Sequence, residues 1–298
     1  MAELPTDPRP RLPLVRLEHL DELWFQVTGT RCNLRCHHCF ISCSPTNDSF
    51  GFLTLEQVRR HLRESVTLGV KEYYFTGGEP FLHPDLVAML EETLQYGPAT
   101  VLTNATVFRD EWLSRLAVAE QASLYSLEFR VSIDGFSAET NDPIRGEGTF
   151  DRAMSGLEKL LDYGFLPLIT AVQTWRVEDE GAVVGAFRER LQRVGYAHPR
   201  IKLIPTIRLG AEVTRTHGYS SEDRVTAEML DGYDAGKLLC HHARLVCDRG
   251  VYVCPLLLET PRAKLGDSLS ESLGPFAITE SACATCYQHG AICSNQSR

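Results

Sequence analysis

The stretch TGTRCNLRCHHCF at residues 28–40 decides the fold, because it places three cysteines on the loop after a predicted strand. The cysteines are Cys32, Cys36 and Cys39, spaced Cys-x3-Cys-x2-Cys, and the strand is the short apolar run from Leu23 to Val27. In α/β proteins, ligand sites lie in the loops that follow strands. The pattern therefore predicts a metal or ligand site at the end of this strand.

Three thiolates on one loop can bind three corners of a [4Fe–4S] cluster and leave the fourth iron open to a ligand from outside the protein. The spacing also fits a structural zinc site, with Cys43, His37 or His38 as the fourth ligand. A buried thiol with no ligand role is the other interpretation of Cys43. The chain has ten cysteines and no apolar signal segment before Leu12, which favours metal binding over disulfides.

Strand-like and helix-like segments alternate along most of the chain. Predicted strands cover 23–27, 73–75, 100–103, 127–133, 166–172 and 201–207. A capping box at 54–57, followed by apolar residues at helical spacing, predicts the first of the intervening helices. Because this alternation indicates a parallel sheet with fewer units than a closed barrel, we predict an α/β fold with a partial (β/α)6 TIM-like barrel.

The composition divides the chain into four parts. We predict an N-terminal tail over 1–20, the barrel over 21–210, a polar linker or helical segment over 211–237 and a small Cys-rich extension over 238–298. Within the extension, Gly250 to Val253 predicts a short hairpin.

Unusual residues follow three further predicted strands. They form Thr76-Gly77-Gly78-Glu79-Pro80, Thr103-Asn104 and Ser132-Ile133-Asp134-Gly135. Paired glycines allow close approach to a ligand, a glutamate can bind an ammonium group, and serine and aspartate can hydrogen-bond ribose hydroxyls. Since all three runs lie at the carboxyl ends of strands, they predict a metal cluster beside an amino-acid-bearing nucleoside.

The run Cys32 to Cys39, together with Gly-Gly-Glu-Pro at 77–80 and Ser-Ile-Asp-Gly at 132–135, resembles the radical S-adenosylmethionine (radical SAM) enzymes. The resemblance implies that Cys32, Cys36 and Cys39 bind a [4Fe–4S] cluster, and that SAM chelates its open iron. It further implies that Gly77, Gly78 and Glu79 meet the SAM amino group, and Ser132 and Asp134 its ribose. Asn104 and His38 are cofactor-binding candidates by position, although His38 stands where the family usually has Tyr or Phe.

The segment Asn141-Asp142-Pro-Ile-Arg145-Gly146 resembles the subgroup of radical SAM enzymes with a C-terminal SPASM or twitch extension. In that subgroup the arginine meets the SAM carboxylate, which implies this role for Arg145; a helix-flanking arginine is the alternative. The family mechanism implies that one electron splits SAM into methionine and a 5′-deoxyadenosyl radical, which abstracts a hydrogen atom from substrate.

The second group of cysteines resembles the SPASM/twitch extension, which carries auxiliary Fe–S clusters. By position, Cys240, Cys254, Cys283 and Cys286 match the four twitch ligands, so we expect one auxiliary [4Fe–4S] cluster. Cys247 and Cys293 are then spare thiols or ligands of a second, open-sited cluster. A zinc ribbon is the alternative, although its cysteine pairs are usually more closely spaced.

Charge and hydropathy limit the partners. The formal net charge is −9 with no long basic run, which disfavours nucleic acid, and no segment resembles a membrane span. We therefore expect a cytoplasmic enzyme that binds SAM, with flavodoxin or ferredoxin as the electron donor that the resemblance implies. The expected reaction is oxidative modification of a peptide or protein side chain. The alternatives are a small-molecule dehydrogenase, a cofactor-biosynthesis enzyme, or a non-catalytic zinc or Fe–S protein.

Overall fold

The computed structural model describes residues 11–294, so the first ten residues of the predicted tail lie outside the described residues. Its strands are β1 (Leu14–Val15), β2 (Glu22–Gln26), β3 (Glu72–Thr76), β4 (Ala99–Thr103), β5 (Leu127–Ser132), β6 (Leu168–Val172), β7 (Arg200–Ile204), β8 (Ala243–Cys247), β9 (Gly250–Tyr252), β10 (Lys264–Gly266) and β11 (Phe276–Ala277). Its helices are α1 (Leu55–Leu68), α2 (Leu86–Thr93), α3 (Asp110–Ala122), α4 (Ala138–Arg145), α5 (Thr149–Asp162), α6 (Glu180–Arg193), α7 (Val213–Thr216) and α8 (Cys283–His289).

Six parallel strands form the main sheet in chain order, from β2 to β7. The register places Phe25 of β2 beside Phe75 of β3, and Val101 of β4 beside Phe129 of β5. Helices connect successive strands, as the alternation predicted. The predicted α/β fold with a parallel sheet is confirmed.

The Cys-rich segment extends this sheet beyond β2. Strand β8 pairs in parallel with β2, and β9 and β10 continue the sheet as antiparallel neighbours. The hairpin predicted near Gly250 is the β8–β9 pair. The predicted extension thus shares a sheet with the predicted barrel, a pairing that the sequence pattern did not indicate.

Local signals explain why helix α1 begins and ends where it does. Thr54 accepts a hydrogen bond from the Gln57 N–H, and the Gln57 side chain accepts one from the Thr54 N–H, which completes the predicted capping box. Gly69 ends the helix with φ 73°, a left-handed conformation that glycine adopts without strain. Helix α4 was not predicted, because Pro143 and the neighbouring glycines resemble a loop.

The sheet separates two apolar layers, because side chains of a strand alternate between its faces. Phe25, Phe75 and Phe129 pack outward beneath the helices. Trp24 and Tyr74 face inward, where their rings stack with centroids 4.2 Å apart and contact the C-terminal segment. The inner face is the one that holds the large cavity described below. Within residues 11–294 no helix has the length and apolar character needed to cross a membrane.

Candidate functional site

One large cavity lies on the inner face of the sheet, at the carboxyl ends of its parallel strands. Side chains from β2 to β7 line it, together with the loop after β2 and part of the C-terminal segment. Of the predicted site residues, it contacts Cys32, Cys36, His38, Cys39, Gly77, Gly78, Asn104, Ser132, Arg145 and Cys293. Residues scattered over the sequence therefore meet at one place, at the edge of the sheet where strand-end loops gather.

The cysteine loop presents three thiols to this cavity. The Cys32 Sγ accepts hydrogen bonds from the Leu34 N–H at 3.4 Å and the Asn104 side-chain amide at 3.8 Å. The Cys39 Sγ accepts one from the Cys43 N–H at 3.2 Å. Burial raises the pKa of Cys32 to about 12 and that of Cys36 to about 11. Such thiols become thiolates when a metal supplies the compensating positive charge.

The paired glycines allow two loops to approach each other closely. A Cβ on Gly78 would lie 1.9 Å from the Arg31 carbonyl oxygen, and one on Gly77 would lie 2.2 Å from the Thr28 Oγ1. The Glu79 N–H also donates to the Arg31 carbonyl at 3.0 Å. Both glycines line the cavity, but what excludes a side chain at these positions is the contact with the cysteine loop.

Glu79 is completely buried and fixed at the end of β4. Its carboxylate accepts hydrogen bonds from the Thr103 hydroxyl at 2.7 Å, the Asn104 N–H at 2.8 Å and the Phe81 N–H at 3.1 Å. Burial raises the pKa of Glu79 to about 7, even though these hydrogen bonds oppose the shift. Because a carboxylate offers about four acceptor positions, these three bonds leave capacity for a further donor.

Asp134 joins three segments around the cavity. One carboxylate oxygen accepts from the Val172 N–H at 2.7 Å; the other lies 2.6 Å from the His38 Nε2 and 2.5 Å from the Arg145 Nε. Burial opposes ionisation, but the charge of Arg145 and the contact with His38 hold the pKa of Asp134 well below its usual range. Asp134 is therefore an anion whose oxygens already have partners within the described residues.

The cavity is also lined by polar residues that were not predicted from the sequence. Gln26, Arg130 and Thr170 line it from β2, β5 and β6. Arg130 is buried and donates to the Cys293 carbonyl oxygen at 2.6 Å. The sequence pattern of the strands could have indicated these residues. A polar residue between apolar neighbours in a buried parallel strand points to the inner face, as Arg130 does between Phe129 and Val131.

A second, smaller cavity lies among the C-terminal elements. It is lined by apolar side chains and by four cysteines, namely Cys240, Cys254, Cys283 and Cys286. These are the four residues that match the twitch ligands by position. Burial raises the pKa of Cys240 to about 12 and that of Cys254 to about 11. The structure therefore brings this set together.

The two remaining cysteines of the C-terminal group lie elsewhere. Cys247 is buried at the end of β8, where its Sγ accepts from the Arg249 N–H at 3.4 Å. Cys293 lines the large cavity instead of the small one. Within residues 11–294 no three Cys, His, Asp or Glu side chains converge on a position for a single metal ion. A [4Fe–4S] cluster holds each thiolate on a different iron, so its ligands surround a cavity.

Arg244 contacts one residue of the cysteine set that lines the small cavity, because its guanidinium donates to the Cys240 carbonyl oxygen at 2.9 Å. Arg244 belongs to β8 and its side chain is buried. Within residues 11–294, every hydrogen bond of its guanidinium goes to a main-chain carbonyl oxygen. Burial lowers the pKa of Arg244 to about 10, whereas negative charge on Cys240 or Cys254 would raise it. The guanidinium is therefore a buried cation in contact with the main chain of Cys240.

The sequence of the barrel matches one family. A model described as "Radical SAM superfamily" matches residues 27–175, which is half of the chain. The chain belongs to the radical SAM superfamily. This membership confirms the predicted family and its two cofactors, a [4Fe–4S] cluster and SAM.

Known proteins resemble this radical SAM chain over part of their length. It is 30% identical over 161 residues to the antilisterial bacteriocin subtilosin biosynthesis protein AlbA of Bacillus subtilis (strain 168), covering 52% of this chain and 34% of AlbA. It is 34% identical over 139 residues to the AdoMet-dependent heme synthase of Methanosarcina barkeri (strain Fusaro / DSM 804), covering 46% of this chain and 38% of the synthase. The chain therefore spans less than two fifths of these relatives.

A solved structure shares the fold of this radical SAM chain. Native anSMEcpe with bound AdoMet and Cp18Cys peptide superposes with a TM-score of 0.61 at 17% identity, covering 84% of this chain and 79% of that chain. The likeness thus extends well beyond the residues that the family model matches.

The residues of the large cavity fit the cofactors of a radical SAM enzyme. Three thiols line it, and two of them accept hydrogen bonds of the kind that stabilise metal-bound sulfur. The His38 Nδ1 is buried without a hydrogen-bond partner in the described part of the chain. An orphaned polar atom on a cavity wall is accounted for when a ligand fills the cavity.

Proposed function

We propose that the chain cleaves SAM reductively at a [4Fe–4S] cluster bound by Cys32, Cys36 and Cys39, and abstracts a hydrogen atom from its substrate. The observation that carries this proposal is the shared cavity, in which the three thiols stand with Gly77 and Gly78. When bound, the cluster supplies the electron that splits SAM into methionine and a 5′-deoxyadenosyl radical. An external flavodoxin or ferredoxin is the electron donor in this proposal.

Residues in the cavity wall, and buried residues directly behind it, then have roles in holding SAM. Glu79 and the backbone of Gly77 and Gly78 bind the amino group, because Glu79 retains acceptor capacity beside the cysteine loop. Arg145 binds the carboxylate and is oriented by Asp134, from which it lies 2.5 Å. A charged pair of this kind keeps the guanidinium in place before SAM arrives.

The nucleoside is held by the opposite wall. Ser132 lines the cavity and offers a hydroxyl to the ribose. Asp134 either binds the same sugar directly or acts on it by positioning His38. His38 contacts the adenine; its Nδ1 is free to accept a hydrogen bond when the Nε2–H is donated to Asp134. The Asn104 amide holds the Cys32 sulfur.

The rest of the lining protects a radical. Leu34, Leu102, Val172 and Ile204 face the cavity, and such side chains exclude water and stabilise no charge. Pro255 and Cys293 close it from the C-terminal segment. A substrate seated under this segment reaches the radical without exposing it to solvent.

The small cavity is proposed to hold one auxiliary [4Fe–4S] cluster. Its support is the set Cys240, Cys254, Cys283 and Cys286, which shares one apolar cavity. Four thiolates complete the ligand set of such a cluster. Cys247 and Cys293 are then spare thiols.

A peptide or protein side chain is the substrate we favour. Within the described residues β7 pairs only with β6, so no strand covers its other edge, and Ile204 at its end lines the large cavity. An extended peptide can add to such an edge through its main chain. The resemblance to a bacteriocin biosynthesis protein also favours a peptide substrate. The resemblance to a heme synthase favours the second candidate, a small-molecule substrate.

The test is anaerobic reconstitution with iron and sulfide, followed by quantification of 5′-deoxyadenosine released from SAM under dithionite. We expect release from the parent protein and none from the Cys32→Ala/Cys36→Ala/Cys39→Ala variant, which should retain about four irons. Stoichiometric zinc and no cleavage would refute the proposal. Synthetic peptides and porphyrin precursors, added in parallel, distinguish the substrate classes by which of them accelerates release.

A further inference from the structure

The guanidinium of Arg244 is buried without a carboxylate partner. Its Nε donates to the Ser272 carbonyl at 2.8 Å, its Nη1 to the Ala243 and Cys240 carbonyls at 2.7 and 2.9 Å, and its Nη2 to the Gly274 carbonyl at 3.3 Å. Its exposed fraction is 0%. Among residues 11–294, no Asp or Glu forms a salt bridge with it.

The other buried arginines of residues 11–294 differ in this respect. Arg145 lies 2.5 Å from an Asp134 oxygen, and Arg130 lies 3.4 Å from a Glu128 oxygen. Carbonyl dipoles satisfy the N–H groups of Arg244 but do not neutralise its charge. Because an uncompensated buried charge is strongly destabilising, we expect an anion close to this guanidinium.

The neighbours that can supply negative charge are cysteines. Cys240 is bound to Arg244 through its carbonyl oxygen, and its thiol, with that of Cys254, lines the small cavity. As neutral thiols they would leave the cation unbalanced. As ligands of a [4Fe–4S] cluster, four thiolates bring a net negative charge to this cavity.

We propose that Arg244 is the counter-charge of the auxiliary cluster site: it stabilises the thiolate ligands and raises the reduction potential of the cluster. This inference rests on the proposed auxiliary cluster at Cys240, Cys254, Cys283 and Cys286. A fixed cation favours the reduced cluster over the oxidised one, because reduction adds one negative charge beside it. Arg244 is a positioning residue, since it touches the main chain that carries the ligands.

The test measures the reduction potential of the auxiliary cluster by EPR-monitored titration. It uses the full chain with the substitutions Cys32→Ala, Cys36→Ala and Cys39→Ala, so that only the auxiliary cluster remains. In this background, Arg244→Met is expected to make reduction at least about tenfold less favourable, a shift of about 59 mV for one electron, to a more negative potential. Arg244→Lys is expected to stay near the parent value.

A matched control separates local from overall charge. Arg262 belongs to the same C-terminal region, is partly exposed and pairs with Glu280 at 2.5 Å. Arg262→Met removes the same charge from the chain and should leave the potential unchanged. Normal iron content with an unshifted potential in Arg244→Met would overturn the counter-charge role and leave a purely structural arginine.

Loss of the cluster has its own interpretation. If Arg244→Met and Arg244→Gln bind no iron but Arg244→Lys does, the positive charge is required, which supports the proposal. If Arg244→Lys also binds no iron, the cluster site requires the hydrogen bonds of the guanidinium and not its charge, and the proposal is wrong. If the variant with the three substitutions at Cys32, Cys36 and Cys39 binds no cluster even with Arg244 in place, the proposed auxiliary cluster itself is refuted, independently of Arg244.

Discussion

The His38 Nε2 lies 2.6 Å from a carboxylate oxygen of Asp134, so the cysteine loop after β2 is bound to the loop after β5. The same oxygen lies 2.5 Å from the Arg145 Nε. One buried carboxylate thus fixes two residues that the family resemblance assigns to SAM binding.

Asp134→Asn should destabilise the protein and weaken SAM binding. It leaves the Arg145 guanidinium buried without its anion, which costs about 3 kcal/mol in free energy of unfolding. Denaturant unfolding and equilibrium dialysis with SAM measure the two effects. The control is Asp151→Asn on the exposed face of α5, which should leave SAM binding unchanged and cost less than about 1 kcal/mol, the usual contribution of a carboxylate in the first turn of a helix. An Asp134→Asn variant as stable as the parent would contradict the structural part of the prediction.

Because of Glu79, the free energy of unfolding should fall as pH rises. The pKa of Glu79 is raised to about 7 in the folded state, from a usual value near 4.5, so the folded protein retains a proton that the unfolded chain has lost. Between these two values, the cluster-free protein should lose about 3 kcal/mol of stability as pH increases. Denaturant unfolding between pH 4.5 and 7.5 measures this loss.

Glu79→Gln should remove that pH dependence and reduce the affinity for SAM, because a neutral amide binds an ammonium group less strongly. If the parent and the variant show the same pH profile, Glu79 is not the titrating group. If SAM affinity is unchanged, Glu79 does not bind the amino group.

Gly78→Ala should disrupt the contact between the loops after β2 and β3. The added Cβ would lie 1.9 Å from the Arg31 carbonyl oxygen, so one backbone must move. We expect a loss of about 1–3 kcal/mol in free energy of unfolding, the usual cost of forcing atoms into a packed site, and a lower iron content. Gly181→Ala in α6 is the control, because its added Cβ would meet no heavy atom within 4 Å beyond its chain neighbours and the backbone of its own helix. A normal iron content in Gly78→Ala would show that the loop contact is dispensable.

Single cysteine variants should differ in the iron they retain. Cys254→Ala and Cys286→Ala should lose the auxiliary cluster, because both residues line the small cavity. Cys247→Ala and Cys293→Ala should keep the parent iron content, since neither residue lines it. Iron and sulfide assays on reconstituted protein measure this. A loss of four irons in Cys247→Ala would require a different ligand set.

The sequence predicted most of the fold because its signals are local. The capping box at Thr54 and Gln57, the apolar periodicity of α1 and the alternation of strands with helices each depend on residues close in the chain. Helix α4 was missed because Pro143 and flanking glycines carry the opposite local signal. The pairing of β8 with β2 was missed because it joins segments about 220 residues apart, beyond any periodic pattern.

For the site, the sequence alone determined which residue types are present and in what spacing, and this was sufficient to indicate the radical SAM family from the cysteine loop and the Gly-Gly-Glu run. Only the tertiary structure decided that Cys293 lies in the large cavity, that Asp134 binds His38, and that Arg244 is buried beside Cys240. The physical reason is that spacing fixes neighbours along a loop, whereas burial and charge pairing depend on which distant strands pack together.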